Sequence, residues 1–226
     1  MILERRGIHA NATVAILGSG PSLVDYRGSE SVAIAVNGGA FTDRPYTYFV
    51  CGDRNAPGMP WFHESERRGI PRIVSSFVAV RDPVLYPRAR TRLALRLELA
   101  VHSLRPGAYH SFEPSTRPVA PHAWFRYREA AFPESDDEIF RSVEDGRFLH
   151  GATIAGVALQ MAWLFGASRI RLYGVGLDND TGDRYAHAGR SRGRSTPLQR
   201  TLLSRLASAV ERRGVPVEVH GACRWR

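Results

Sequence analysis

The sequence predicts an α/β fold with a doubly wound, mostly parallel β-sheet. Short runs rich in β-branched residues alternate with longer helical patterns, which is the order of parallel strands joined by helices. Several of these runs end abruptly in Gly, Asn or Asp, as strands do where the chain leaves a sheet through a tight loop. The chain has 226 residues, 43% of them hydrophobic, so we expect a single domain over 1–226 with a sizeable core.

Charge and cysteine content exclude several kinds of site. The formal net charge is +9, and all 31 lysine-plus-arginine residues are arginines. Because there is no lysine, neither a P-loop lysine nor a Schiff-base lysine is available. Arginine binds phosphate through two hydrogen bonds, so an anionic ligand is favoured, although arginine-biased codon usage would give the same count. Cys51 and Cys223 lack metal-ligand spacing, which predicts neither a zinc site nor a disulfide framework.

The chain carries no pattern that would place it in a membrane. No apolar run approaches the roughly 18 to 20 residues of a membrane span. The segment 1–11 is too polar for a signal peptide. We therefore expect a soluble, cytoplasmic protein without a membrane span, and the sequence leaves open whether it forms an oligomer.

The first strand is expected at 14–17, and it ends in the loop Gly18-Ser19-Gly20-Pro21-Ser22. Gly18 and Gly20 can take positive φ and let a ligand approach the backbone closely. Ser22 adds a hydroxyl, and a helix that begins there would direct its positive end at the ligand. The loop is therefore a candidate anion cradle, with an ordinary turn as the alternative.

The second and third strands are expected at 31–37 and 46–51, and both end in turn-forming residues. Asn37 closes the second strand, and Asp53 follows the third. In open α/β sheets, ligands bind outside the carboxyl ends of the strands. The pattern thus places Ser19, Asn37 and Asp53 along one rim, although Asn, Asp and Gly are also the common turn formers.

A fourth strand is expected at 72–80, and the pattern loosens after it. The segment 81–148 holds much of the proline and many arginines, and we interpret it as an insertion or lid within the domain. The alternating leucines at 93–99 fit a strand or a leucine-rich helix equally. The acids at 136–138 predict the first turn of a short helix.

The last third of the chain returns to a regular pattern. The segment 151–165 is apolar nearly all round and predicts a buried helix. A strand at 168–174 follows, and then a loop of glycines and acids at 174–183. Ser, Thr and Pro at 195–197 open a last helix, and a final strand is expected at 215–219.

Taken in order, these pieces resemble a known superfamily. The resemblance is carried by ILGSGPSL, VNGGA and VCGD in the first third of the chain, and by GAT, GASRIRLYGVGLD and YAH in the last third. One branch holds bacterial sialyltransferases that cap lipooligosaccharide with CMP-sialic acid and no metal. The other holds 6-hydroxymethylpterin pyrophosphokinase-like proteins, including motility accessory factors. The resemblance implies a Rossmann-like, GT-A-like variant and leaves 81–148 unmatched.

The resemblance also implies a nucleotide site built at the strand ends. The family binds the phosphates at the glycine-rich loop and the ribose or base after the second strand, and it uses a small hydroxyl residue at the start of the buried helix. The corresponding residues here are Gly18, Ser19, Gly20, Ser22, Asn37 and Thr153. Asp53 and Asp178 complete the predicted nucleotide-binding set.

Tyr185 and His187 are the predicted catalytic residues. Tyr185 falls on a tyrosine that hydrogen-bonds the leaving phosphate in the sialyltransferases, and His187 lies near the region that supplies their base. An imidazole has a suitable intrinsic pKa for a base near neutrality, while a surface histidine in a Gly/Arg/Ser loop is the alternative. The second tyrosine of the family's pair is replaced here by Asn179 or Asp180.

We therefore expect a glycosyltransferase that moves a sugar from a nucleotide donor, CMP-activated by the resemblance, to a hydroxyl acceptor with inversion. It uses the nucleotide sugar as co-substrate without a metal or further cofactor, and its arginines fit an anionic acceptor. One alternative is a Mg-ATP-dependent pyrophosphokinase of the hydroxymethylpterin type with Mg²⁺ on Asp53 and Asp178, although the third strand lacks the family's denser acidic motif. Another is a non-enzymatic protein whose arginine-rich 184–205 region binds nucleic acid, although no known motif accompanies it.

Overall fold

The computed structural model describes residues 2–104, 111–128, 135–149, 153–175 and 197–221. Within these residues the β-strands are β1 Thr13–Leu17, β2 Val32–Val36, β3 Tyr48–Cys51, β4 Arg72–Ser75, β5 Ala123–Tyr127, β6 Arg147–Phe148, β7 Arg169–Tyr173 and β8 Val217–Val219. They form one sheet in the order β6-β5-β4-β3-β2-β1-β7-β8. Every neighbouring pair is parallel.

Helices flank this sheet. The α-helices are α1 Pro60–Arg67, α2 Ser76–Ala79, α3 Ala89–His102, α4 Asp136–Glu144, α5 Ile154–Leu164 and α6 Pro197–Arg212. Short 3-10 turns are formed by Ile2–Arg5, Pro21–Asp25, Asn37–Phe41 and Ala56–Gly58. Of the helices in the described ranges, none combines the length and the apolar character needed to cross a bilayer.

The order of the strands produces a topological switch point. From β1 to β6 the chain progresses to one side of the sheet, and β7 and β8 lie on the other side of β1. The loops that follow β1 and β7 therefore run in opposite directions, which leaves a crevice at the carboxyl ends of these strands. β2 is buried along its whole length and β1 along all but its first residue, as expected for parallel strands covered on both faces. The predicted doubly wound parallel sheet is confirmed.

Helix α5 is the buried helix expected in the last third of the chain. It packs on β1, β2 and β3 and contacts α4 and α6. Its one long polar side chain, Gln160, is fully hydrogen-bonded, because the amide accepts from Leu149 N at 3.0 Å and donates to Leu149 O and Gly156 O. A polar group can occupy this apolar helix because its burial leaves no amide atom unpaired.

The segment 72–80 is shorter as a strand than predicted. β4 ends at Ser75, and Ser76–Ala79 forms α2. A buried strand and a buried helical turn give the same apolar run, so hydrophobicity alone does not separate them. The leucines at 93–99 belong to α3, where Leu95 and Leu99 are buried one turn apart and the other two, Leu93 and Leu97, are exposed.

The described part of 81–148 contributes to the main sheet. β5 pairs with β4, and β6 pairs with β5, so the segment extends the sheet at its edge. Neither strand was predicted from the sequence, because β5 lies in a proline- and arginine-rich region and β6 spans two residues. The acids at 136–138 do open α4, whose Ser135 side chain accepts a hydrogen bond from Glu138 N. The proposal of a lid stays a prediction.

A buried ion pair ties β4 to the segment that follows α2. The Arg72 guanidinium lies 2.8 and 2.9 Å from the two carboxylate oxygens of Asp82, and neither residue has any exposed surface. Arg72 also donates to Ser65 Oγ at 3.1 Å and to Phe62 O at 2.8 Å. A charge in this position is tolerated because its donors have partners inside the protein.

Candidate functional site

The described residues of the predicted site meet at the carboxyl rim of the sheet. The loop after β1 carries Gly18, Ser19, Gly20 and Ser22, while Asn37 follows β2, Asp53 follows β3 and Thr153 precedes α5. A Cβ added to Gly39 would lie 1.9 Å from Leu17 O, so the turn after β2 packs directly on the end of β1. A Cβ added to Gly52 would lie 3.2 Å from Ile154 Cδ1, so the start of α5 lies over the end of β3. These contacts unite the strand ends and the helix in one surface.

The loop after β1 packs against Gly174, the residue that follows β7. Gly18 N donates to Tyr173 O at 2.7 Å, and Gly20 N donates to Gly174 O at 2.9 Å. Ser22 Oγ accepts from Gly174 N at 2.9 Å. The amides of Gly18 and Gly20 are therefore occupied by protein partners.

The glycines of this loop serve close packing. Neither Gly18 nor Gly20 has positive φ, contrary to our expectation, and φ of Gly20 is −70°. A Cβ on Gly18 would lie 2.3 Å from Gly174 O, and one on Gly20 would lie 2.8 Å from the same atom. Side chains here would force the two loops apart at the switch point. The helix expected after the loop is a five-residue 3-10 turn, Pro21–Asp25.

Asn37 has a strained backbone and an unsatisfied side chain. Its φ of 47° lies in the left-handed region, and it opens the turn that packs on β1. Its Oδ1 is buried, and no group in the described part of the chain donates a hydrogen bond to it. Both features cost free energy, and such features concentrate at functional sites. Asn37 therefore presents a buried acceptor at the centre of the rim.

Asp53 and Thr153 use their side chains in local caps. Asp53 Oδ1 accepts from Asn55 N at 2.8 Å, which is the hydrogen bond of an Asx turn. Thr153 caps α5, because its Oγ1 accepts from Ala155 N at 3.0 Å. A hydroxyl that accepts from the backbone keeps its own proton to donate. Thr153 thus retains one hydrogen bond for a ligand at the N-terminus of α5.

Tyr127 and Ser76 also lie at this rim and were not predicted. A Cβ on Gly52 would lie 1.7 Å from Tyr127 Oη, so the phenol reaches from the end of β5 to the end of β3. Burial raises the pKa of Tyr127 above its ordinary value, so its hydroxyl stays protonated. Ser76, directly after β4, has a buried Oγ that makes no hydrogen bond to the described residues. The missing signal was the position of β5, which the sequence did not reveal.

A second polar cluster, the Glu30 cluster, lies near the loop after β1 and consists of Glu30, Arg171, Tyr173 and His220. Tyr173 Oη donates to Glu30 Oε1 at 2.6 Å, and Arg171 lies 3.3 Å from the same oxygen. Burial raises the pKa of Glu30, but the hydrogen bonds from Tyr173, from Arg171 and from nearby groups outweigh it and hold the pKa below its ordinary value. The ring of His220 stacks on Tyr173 with 4.2 Å between the ring centroids. This cluster anchors β7 next to the switch point.

Three predicted residues lie outside the described part of the chain. Asp178, Tyr185 and His187 fall within 176–196. Their roles stay predictions.

The paired acids of the metal-dependent alternative are Asp53 and Asp178. No group of three His, Cys, Asp or Glu side chains comes together in those ranges as a metal site would require. Asp53 is described and Asp178 is not, so the Mg²⁺ pair of the pyrophosphokinase alternative also stays a prediction.

Comparison with known proteins gives one structural similarity. No family model and no curated protein sequence matches the chain. The fold is similar to the solved structure of the sialyltransferase CstII from Campylobacter jejuni in complex with a substrate analogue, CMP-3FNeuAc. The two share 13% sequence identity with a TM-score of 0.47, over 92% of this chain and 81% of that chain.

Proposed function

We propose that this protein is a glycosyltransferase that moves a sugar from a nucleotide donor, CMP-activated, to an acceptor hydroxyl with inversion at the anomeric carbon. Two kinds of support converge on it. The motifs ILGSGPSL, VNGGA and VCGD resemble those of the CMP-sialic acid sialyltransferases. The residues in these motifs lie together at the carboxyl rim, beside the switch point where α/β sheets bind their ligands.

Asn37 is the observation that carries the proposal. A buried carbonyl oxygen without a hydrogen bond costs about 1 to 3 kcal/mol. The left-handed backbone adds a smaller cost, because asparagine adopts this region more readily than the residues for which it costs about 1 to 2 kcal/mol. A ligand that donates an N–H or O–H to Asn37 Oδ1 offsets the first of these costs. The exocyclic amine of cytosine and the hydroxyls of ribose are such donors, and CMP carries both.

The remaining residues then have definite tasks. The acceptor oxygen attacks the anomeric carbon, while the bond from that carbon to the phosphate oxygen breaks and CMP departs with the electron pair. His187 takes the acceptor proton, and Tyr185 donates a hydrogen bond to the departing phosphate. Thr153 offers its free hydroxyl proton to the nucleotide from the N-terminus of α5.

Calorimetric titration tests the proposal with four ligands: CMP, CDP, ATP with Mg²⁺, and an oligonucleotide, each over a series of salt concentrations. We expect CMP or CDP to bind with weak salt dependence. Binding of ATP only with Mg²⁺ would support the pyrophosphokinase instead. Tight oligonucleotide binding that weakens steeply with salt would support a nucleic-acid-binding protein. Either of these results without CMP binding refutes the glycosyltransferase.

A further inference from the structure

A cavity of about 660 Å³ lies at the β5–β6 edge of the sheet, under α4. Four arginines line it together with Tyr127, two acids and two serines: Arg126, Arg128, Arg141, Arg147, Glu138, Asp145, Ser111 and Ser142. We propose that this arginine cavity binds the anionic group of the acceptor, a phosphate or a carboxylate. That the anion belongs to an acceptor rests on the proposed function, whereas the anion site itself follows from the cavity alone.

The sheet register brings the arginines together. Arg126 of β5 and Arg147 of β6 are Cα partners in a parallel pair, so their side chains leave the same face next to each other. Arg128 lies two residues beyond Arg126 and emerges on that face as well. Like charges in adjacent positions of paired strands repel and destabilise the sheet. Arg141, from α4, brings a further positive charge to this face.

The acids around the cavity leave this charge incompletely neutralised. Arg126 lies 2.6 Å from Glu113, and Arg128 pairs with Glu138. Arg141 and Arg147 form no ion pair with another residue of the described ranges, and Asp145 is the remaining acid in the lining. The Nε of Arg126 is also buried without a hydrogen-bond acceptor in those ranges. The cavity therefore presents guanidinium donors that a bound anion would satisfy.

Phosphate and carboxylate groups match these donors. Guanidinium groups bind both through parallel N–H···O hydrogen bonds, and such charge-assisted bonds are about twice as strong as neutral ones. The cavity volume of about 660 Å³ accommodates a phosphorylated or carboxylated sugar.

The position of the cavity indicates which substrate carries the anion. β5 lies four strands from β1, which corresponds to about 19 Å at the usual strand spacing. The nucleotide phosphate proposed at the β1 loop therefore does not reach the cavity. Tyr127 borders the cavity, but its side chain leaves β5 on the face opposite Arg126 and Arg128, and its hydroxyl lies against Gly52 on the rim. An acceptor of several sugar rings would pass around the carboxyl end of β5, with its anion in the arginine cavity and its reactive hydroxyl at the rim.

Titration with inorganic phosphate and with acetate tests the site directly, read from the arginine Nε–H signals of the full chain by NMR. The test variants are Arg147→Gln and Arg141→Gln, both exposed and without a described ion pair, so the fold should be retained. The matched control is Arg96→Gln, an exposed arginine of α3 that likewise forms no ion pair with the described residues and makes the same change in net charge. We expect each test variant to weaken phosphate binding by about 10-fold or more and the control to leave it unchanged.

The outcomes separate this inference from the proposed function. Preferential binding of phosphate indicates a phosphorylated acceptor, and preferential binding of acetate indicates a carboxylated one. Equal phosphate affinity in Arg147→Gln, Arg141→Gln and Arg96→Gln refutes the cavity even where CMP still binds. Competitive displacement of phosphate by an oligonucleotide, with steep salt dependence, also overturns it. If the unmodified protein binds phosphate but not CMP, the glycosyltransferase is refuted and the anion site is retained.

Discussion

Replacing Asn37 by glycine should stabilise the fold and weaken nucleotide binding. Glycine removes the left-handed strain at φ of 47°, which for asparagine is smaller than the roughly 1 to 2 kcal/mol that it costs most residues. The greater freedom of glycine in the unfolded chain opposes this gain by about 0.5 to 1 kcal/mol, so the two backbone effects nearly cancel. The substitution also removes the buried, unpaired Oδ1, whose burial costs about 1 to 3 kcal/mol. The sum predicts that Asn37→Gly raises the free energy of unfolding by about 1 to 3 kcal/mol.

Asn11→Gly is the matched control. Asn11 also has positive φ, 65°, but its side chain is exposed. It precedes β1 and so lies at the amino ends of the strands, away from the carboxyl rim. In this control the relief of strain and the greater freedom of glycine in the unfolded chain nearly cancel, so the free energy of unfolding should change by less than about 1 kcal/mol. For a chain of this size, 1 kcal/mol corresponds to roughly 2 to 4 °C in Tm. Asn37→Gly should therefore melt at a higher temperature than Asn11→Gly, which should itself melt close to the unmodified protein.

Binding should separate the two variants in the opposite sense. Loss of one hydrogen bond to CMP in Asn37→Gly should weaken binding by about 3- to 10-fold, measured by calorimetry, while Asn11→Gly should bind normally. A lower Tm for Asn37→Gly would show that the amide is a structural partner after all. CMP affinity equal to that of the unmodified protein would show that Asn37 does not contact the nucleotide.

Three further predictions concern the buried ion pair, the Glu30 cluster and the base. Asp82→Ala should destabilise the fold by about 3 kcal/mol or more in urea denaturation, because it removes the buried carboxylate that pairs with Arg72 and leaves this arginine with the partly exposed Glu66 at 3.3 Å. Tyr173→Phe should cost about 1.5 to 3 kcal/mol at neutral pH, and this difference should close as pH falls through the lowered pKa of Glu30. His187→Ala should lower kcat by about 10² to 10⁴ with little change in CMP affinity.

Each of these predictions has its own control. Asp136→Ala breaks an exposed pair with Arg212 and should cost at most about 1 kcal/mol; an equal cost for Asp82→Ala would contradict the argument. For Tyr173→Phe the direction of the pH dependence follows from Glu30, whose pKa is lower in the folded than in the unfolded protein. The ionised carboxylate therefore stabilises the fold at pH values above its unfolded-state pKa, and this stabilisation is lost as the pH falls through the folded-state pKa. A difference that stays constant down to pH 2 would exclude Glu30 as its source. Normal turnover by the His187→Ala variant, measured both with and without EDTA, would show that another residue acts as the base.

The ends of the strands could be predicted from local sequence, but their packing could not. The β1 loop, Asn37 and Asp53 could be placed on one rim because parallel strands that follow in order present their carboxyl ends to the same edge. The role of the loop glycines could not be predicted. Glycine is required at these positions because a side chain would clash with Gly174 O, which belongs to a residue more than 150 positions away in the sequence. Such a contact between distant segments produces no pattern in the local sequence.

By itself, the sequence determined the α/β class, the parallel strands β1 to β3, the buried helix α5 and the polar ends of the strands, because hydrophobic period and turn residues act over a few neighbouring positions. Only the tertiary structure decided that Asn37 is strained and unpaired. It likewise decided that Tyr127 reaches Gly52 and that Arg126 and Arg147 stand side by side. Register and close approach between distant segments determine these features, and both depend on how the whole sheet assembles.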